Sequence, residues 1–220
     1  MQNFSIRYLN ILKTELAGLN LTKILDPDEF YNKQILDSIN PYLQSELFQK
    51  EVQSKGVLVD VGFGGGFPIL PLAQMLPGIK FIGIESKNKK VEAVRLIAER
   101  LGLNNVTLVH SRLEDVLFDV PSVVTFKAVG TAADYLPAIN HDMNKLTVFL
   151  YKGPNFIELE GPGLVKLEKW KMIENQEINV PGTEKRYLIS FALNNVPRGT
   201  NNQNKAPRAT KNLVKLSDFI

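Results

Sequence analysis

Leu58-Val59-Asp60-Val61-Gly62-Phe63-Gly64-Gly65-Gly66-Phe67-Pro68 is the stretch on which the reading of this chain turns. An apolar run ending in an acid, then glycines at alternating positions, then a proline and further apolar residues, predicts strand, tight turn and helix start. Glycine suits such a turn because the backbone has to take positive φ and lie against a ligand with no Cβ in the way. Pro68 fits a first helical turn, where its missing N–H would have no partner in any case.

Spacing separates the ligands such a turn can hold. The dinucleotide fingerprint G-x-G-x-x-G, begun at Gly62, puts its third glycine at position 67, which is phenylalanine. An acid-bearing strand followed by G-x-G-x-G is instead the first motif of S-adenosylmethionine-dependent methyltransferases, and residues 58–66 fit it throughout. A merely flexible loop is a poor account of so many glycines and a proline in so short a span.

The 220 residues suit a single domain with a sizeable core, over 1–193, of which 1–50 form a helical cap. Hydrophobic content of 44% and charged content of 22% are ordinary for a globular protein. Apolar runs of membrane-spanning length and a signal-peptide core are both missing, so a cytoplasmic protein is expected. With no cysteine, and only His110 and His141 as imidazoles, neither a disulfide nor a built-in metal site is expected. Each histidine stands alone and reads as structural. The net charge of +3 is unevenly spread. Arg198, Lys205, Arg208, Lys211 and Lys215 stand against Asp218 alone, so residues 194–220 read as a basic, mobile tail suited to RNA backbone.

Strands and helices alternate along the rest. Phe4, Tyr8, Leu12, Leu16 and Leu19 make a helical stripe, and Asp26-Pro27 starts a second helix that Pro41 interrupts. A strand at Phe81–Ile84 ends on Glu85 and Ser86, about 25 residues past Asp60, where a carboxylate can accept both hydroxyl hydrogens of a ribose. Asn88 reads as a helix cap and Gly102 as the stop. A third strand, Asn105–Val109, leads to Ser111-Arg112-Leu113-Glu114-Asp115, whose acids can meet an adenine amino group or simply start a helix. Strands at Val120–Phe126 and Leu146–Tyr151 end on Lys127 and Lys152, with a helix from Ala132 to Met143 between them. Two more strands, within Lys171–Ile178 and Lys185–Leu193, complete an α/β fold: a seven-stranded mixed sheet, Rossmann-like, with helices on both faces.

Together, Asn20-Leu21-Thr22, Ile35-Leu36-Asp37-Ser38-Ile39, the glycine stretch, Glu85-Ser86, Ser111-Arg112-Leu113-Glu114, Lys152-Gly153 and Lys185-Arg186 stand in an order that resembles one family. It is the RsmG, or glucose-inhibited division protein B, family of bacterial 16S ribosomal RNA methyltransferases, and the likeness runs from about residue 20 to 193. The resemblance implies a class I methyltransferase that moves a methyl group from S-adenosylmethionine to the N7 of a guanine in the decoding region. Its partner would be 16S RNA or the small ribosomal subunit, with no metal, and the chain is expected to act as a monomer. Carried over by position, Gly62, Gly64, Gly66 and Phe67 would line the methionine and ribose, Glu85 with Ser86 would take the ribose, and Leu113 and Glu114 would flank the adenine. Lys127, in contact with both cofactor and substrate, falls where the family has arginine; Lys152 and Arg186 would face the RNA. Gln34 and Ile69 also depart from the family pattern, and Phe63 replaces a small residue and would crowd the carboxypropyl end of the cofactor.

Guanine N7 keeps an in-plane lone pair and carries no proton at neutral pH, so its attack on a sulfonium methyl needs no general base. The sequence shows no Ser–His–Asp or Cys–His constellation, in agreement. A methyltransferase of proteins or small molecules, and a cofactor-binding module without catalysis, are the readings left open beside this one.

Overall fold

The structure is a computed structural model that describes residues 1–142, 145–165, 167–193 and 213–220. Seven strands form the main sheet: β1 (Val57–Val61), β2 (Lys80–Glu85), β3 (Val106–His110), β4 (Ser122–Lys127), β5 (Leu146–Lys152), β6 (Trp170–Ile178) and β7 (Arg186–Leu193). Their order is β3-β2-β1-β4-β5-β7-β6. The first five strands pair in parallel, and β7 joins β5 and β6 antiparallel. Strand order reverses between β1 and β4, which opens a crevice beyond their carboxyl ends.

All five residues of β1 are buried, so the strand reads as an unbroken apolar run around Asp60 rather than as an alternation. The two sheet faces nevertheless hold separate cores. Leu58, Phe81 and Phe149 pack with Tyr8, Phe30 and Phe48 from the N-terminal helices. Val59, Ile82, Val124 and Leu150 point the other way, toward Leu136, Phe156 and Leu216. The N-terminal helices Gln2–Thr14, Pro27–Phe30, Asp37–Gln44 and Glu46–Lys55, with π-type turns at Tyr31–Leu36, thus share one core with the sheet.

Local signals explain most element ends. Asp26 accepts N–H bonds from Asp28 and Glu29 with Pro27 at the first helical position, as the sequence suggests. The helix Asn88–Leu101 closes on Gly102 in the left-handed conformation. Several expectations are corrected. Lys87, not Asn88, caps that helix, and Pro68 sits just ahead of the helix Ile69–Met75 rather than within its first turn. Pro41 does not end its helix, which runs on to Gln44 while burial of Ile39 and Tyr42 offsets the missing N–H. The helix expected from Ala132 is a single turn, Ala132–Tyr135, followed by a 3-10 turn and the short strand Asn140–His141. Pro137 explains the stop, because it has no N–H for the next helical bond.

The tail is also revised at its end. Val214–Lys215 pairs in parallel with Val116–Phe118, Leu216 is fully buried, and Ser217 donates to Asp119 through both N–H (3.0 Å) and Oγ (2.6 Å). Burying Leu216 gives these last residues a reason to return to the domain. Residues 194–212, the rest of the segment read as a basic mobile tail, lie outside the described residues.

Candidate functional site

A cleft of about 710 Å³ occupies the crevice, within the range of small-molecule sites. Its walls come from the ends of four neighbouring strands: Val61 to Gly65 after β1, Glu85 to Lys87 after β2, Ser111 to Glu114 after β3, and Lys127 to Val129 after β4. The turn after β1 is held by the Gly62 N–H, which donates to the Ile84 carbonyl at 2.7 Å. Gly62, Gly64 and Gly66 all have positive φ. A Cβ on Gly62 would come within 2.6 Å of Val129 Cγ1, so the two sides of the cleft meet only because this residue has no side chain.

Glu85 faces this turn. Its carboxylate is buried, with Oε2 accepting from the Gly64 N–H at 3.2 Å and Oε1 from the Lys87 N–H at 3.0 Å. Two N–H donors fix the carboxylate and leave further lone pairs on both oxygens. Phe63 does not crowd the cleft as expected: it is 1% exposed, and its ring packs beneath the turn where Gly83 leaves room. A Cβ on Gly83 would stand 2.7 Å from that ring, so the bulky residue at 63 and the glycine in β2 belong together.

Of the expected cofactor residues, Gly62, Gly64, Phe67, Glu85, Ser86, Leu113, Glu114 and Lys127 all line the cleft. Gly66 does not; a Cβ there would collide with the Tyr8 hydroxyl, and Gly65 takes its place in the wall. The expected substrate cations are less free than the sequence suggests. Lys127 Nζ lies 2.8 Å from Asp37 Oδ2 and 5.8 Å from the centre of the Phe67 ring. Arg186 lies outside the cleft wall and holds Asp37 Oδ1 at 3.0 Å. Lys152 is also outside it, with Nζ on Glu160 at 2.7 Å and on the Gly130 carbonyl at 3.0 Å. Glu160 in turn accepts the Ala132 N–H at 2.7 Å, so this ion pair ties down the loop that follows Lys127. In that loop Ala128 takes φ of 55°, a strained value for a residue with a Cβ, at the edge of the cleft.

Sequence reasoning missed Asp37 as a site residue, although an acid inside the apolar run Ile35 to Ile39 is a usable signal. It also missed Lys87, Lys90 and Arg112, which with Lys127 set four cations against Glu85 and Glu114 around the opening. That balance suits a polyanion. His110 binds the Ser86 carbonyl at 3.0 Å and His141 stands edge-on to Trp170, which agrees with structural roles. Asp60 is fully buried below the turn. Burial pushes its carboxyl up to about 7, against the Thr125 hydroxyl (2.8 Å) and the Lys127 charge, which pull it down. Among the described residues there is no cluster of metal-binding side chains, and no helix is long and apolar enough to cross a membrane.

A cleft at the switch point of this sheet, with a glycine turn and a buried carboxylate aimed at the same space, defines a Rossmann-like class I methyltransferase. Solved structures agree on the fold: a S-adenosylmethionine-dependent methyltransferase from Aquifex aeolicus (TM-score 0.52, 18% identity, 71% of this chain and 92% of that one) and the mitomycin 7-O-methyltransferase MmcR (0.58, 11%, 85% and 60%). The family is narrower still. Residues 1–186 match the model of GidB, rRNA small subunit methyltransferase G. Ribosomal RNA small subunit methyltransferase G of Lactobacillus helveticus is 32% identical over 83% of this chain and 78% of its own length, and that of Clostridium beijerinckii 29% over 96% and 89%. The chain belongs to this family and is a S-adenosylmethionine-dependent methyltransferase of small-subunit ribosomal RNA.

Proposed function

We propose that the cleft brings a guanine of the 16S decoding region to a bound S-adenosylmethionine, and that its N7 takes the methyl group. The observation that carries this reading is Glu85: a buried carboxylate, fixed by two backbone N–H groups, facing a wall of glycines and lying next to Leu113 and Glu114. That set fits a nucleoside. Glu85 with Ser86 holds the ribose hydroxyls, Leu113 and Glu114 flank the adenine, and Gly62, Gly64 and Phe67 line the methionine end. When bound, S-adenosylmethionine supplies a methyl group already activated by its sulfonium.

The remaining work falls to position. A neutral guanine N7 needs no proton removed, so alignment is the main source of rate, and effective molarities of about 10⁵ to 10⁸ M are available from orientation alone. Lys127, locked between Asp37 and the Phe67 ring, stands where the two reactants meet and orients the base or its phosphate. Arg186 shares Asp37 with it, and one carboxylate for two cations leaves this corner positively charged. Lys152 acts indirectly, by holding the loop from Ala128 to Ala132 against the cleft. Val129 and Tyr135 complete the wall of the cleft on the side of β4.

The test is incubation of the protein with methyl-labelled cofactor and unmethylated small subunits, followed by mapping of the modified base. Label at N7 of one decoding-region guanine is expected. Label at another position, or on protein and not RNA, would overturn the proposal.

A further inference from the structure

The glycine turn has little stiffness of its own. Gly64, Gly65 and Gly66 follow one another, and holding three glycines in one conformation costs more chain entropy than any other sequence would. A donor site made of such a backbone needs an outside anchor, or the ligand has to order it on binding and loses affinity by doing so.

The N-terminal helix supplies that anchor. Tyr8, fully buried, donates its hydroxyl hydrogen to the carbonyl of Gly65, which is itself buried and lines the cleft. The ring of Tyr8 stacks on Phe67 with centroids 5.1 Å apart and planes 17° from parallel, and meets Phe4 and Phe30 edge-on. Burial pushes the Tyr8 hydroxyl well above its ordinary range, so it remains a donor throughout the pH range of a folded protein. Close fit adds to the bond: a Cβ at Gly66 would strike the Tyr8 hydroxyl, and one at Gly65 would come within 2.8 Å of the Leu21 carbonyl. The turn is therefore packed against the N-terminal segment, with Tyr8 lying 57 positions before Gly65 in the chain.

We propose that Tyr8 is a positioning residue of the donor site: by holding the Gly65 carbonyl it fixes the peptide planes of the turn before the cofactor arrives. The inference rests on the reading of this cleft as the S-adenosylmethionine site, and it deepens that reading by making the N-terminal helix part of it.

Tyr8→Phe removes the hydroxyl and keeps the stacked ring. Titration calorimetry of the full chain with S-adenosylmethionine should show dissociation about 10-fold weaker, the size of one buried hydrogen bond. The maximal rate at saturating cofactor and the KM for small subunits should stay within about 2-fold of the original protein, a split that general loosening would not give. Amide exchange should quicken at Gly66 and Phe67, which reports the anchor directly even if calorimetry is limited by yield. Leu12→Ala, on the same helix but away from the turn, is the control: its melting temperature should fall while cofactor affinity holds. Equal affinity in Tyr8→Phe and the original protein, or an equal loss in Leu12→Ala, would overturn the inference. An original protein that takes up no S-adenosylmethionine would overturn the donor-site reading itself.

Discussion

The two sides of the cleft are built by different means. On the donor side the ligand-facing groups are backbone: Gly62 to Gly65, two N–H groups on Glu85, and a turn pinned to β2 through Ile84. The cation side rests on long side chains held by carboxylates: Lys127 in the cleft wall and Arg186 outside it by Asp37, and Lys152, also outside it, by Glu160. A backbone wall is held by the sheet beneath it and by the N-terminal helix packed against the turn. A wall of lysines and arginines keeps its shape only while its counter-charges do, because a free lysine gains rotamer entropy by leaving. The donor side should thus fail through single ligand contacts, and the cation side through the acids behind it.

Glu85→Ala should give the largest effect. It removes the carboxylate proposed to accept both ribose hydroxyls, and two hydrogen bonds to a charged group correspond to a loss of roughly 100-fold or more in cofactor affinity. Calorimetry with S-adenosylmethionine checks it, and affinity within a few-fold of the original would remove the donor side from the account. Asp37→Asn comes next and tests the cation side through its acid. It leaves Lys127 and Arg186 without their shared carboxylate, so the KM for small subunits should rise about 10-fold while cofactor affinity changes little. Folding stability should fall by about 1 to 2 kcal/mol, less than for a fully buried pair because Arg186 is about a third exposed. If Asp37→Asn instead weakened cofactor binding as much as RNA turnover, the two sides would not be separable.

This division also sets what was legible in the sequence. β1, the glycine turn and Glu85 are consecutive or regularly spaced, and their chemistry follows from local backbone needs, so the seven-stranded mixed sheet and most residues now found around the turn in the cleft wall could be read from the sequence. Asp37 and Arg186 are 149 positions apart, and Lys152 answers to a glutamate across a loop; nothing local says that those cations are already engaged. Phe63 shows the same limit from the other direction. Beside the glycines it reads as an obstruction, and only the packing of β2 shows that Gly83 makes room for it below the turn. Gly66 looked like a ligand contact and proved to be a packing contact for Tyr8, a residue of the first helix that carries no motif.

Lys152 offers a finer cut between the sides. If it faces the loop and not the RNA, Lys152→Met should lower turnover only about 3-fold, through slackening of residues 128–132, and should leave the salt dependence of RNA affinity unchanged. A slope shallower by about one unit would make it a phosphate contact after all.

The smallest effect on binding, and the clearest on stability, belongs to Asp60, which lies under the donor wall with no cation of its own to match the pair behind Asp37. Burial raises its carboxyl to about 7 in the folded protein, while an unfolded chain titrates it near 3.9. Below about pH 4 both forms are protonated and the group costs nothing. Between about 4 and 7 the unfolded chain has lost the proton and the folded chain still holds it, so folding stability falls by about 1.4 kcal/mol per pH unit, and above 7 the loss stays constant. Asp60→Asn keeps an oxygen for the Thr125 hydroxyl and has no proton to lose. Denaturant unfolding across this range should therefore show the asparagine variant gaining on the original protein from about pH 4 to 7 and no further, with any fixed cost of the amide appearing as an offset independent of pH. A difference between the two that stays flat across that window would mean that Asp60 is ionised in the folded protein throughout, and that the Thr125 hydroxyl and the charge of Lys127 outweigh its burial; Lys127 would then serve both sides of the cleft at once.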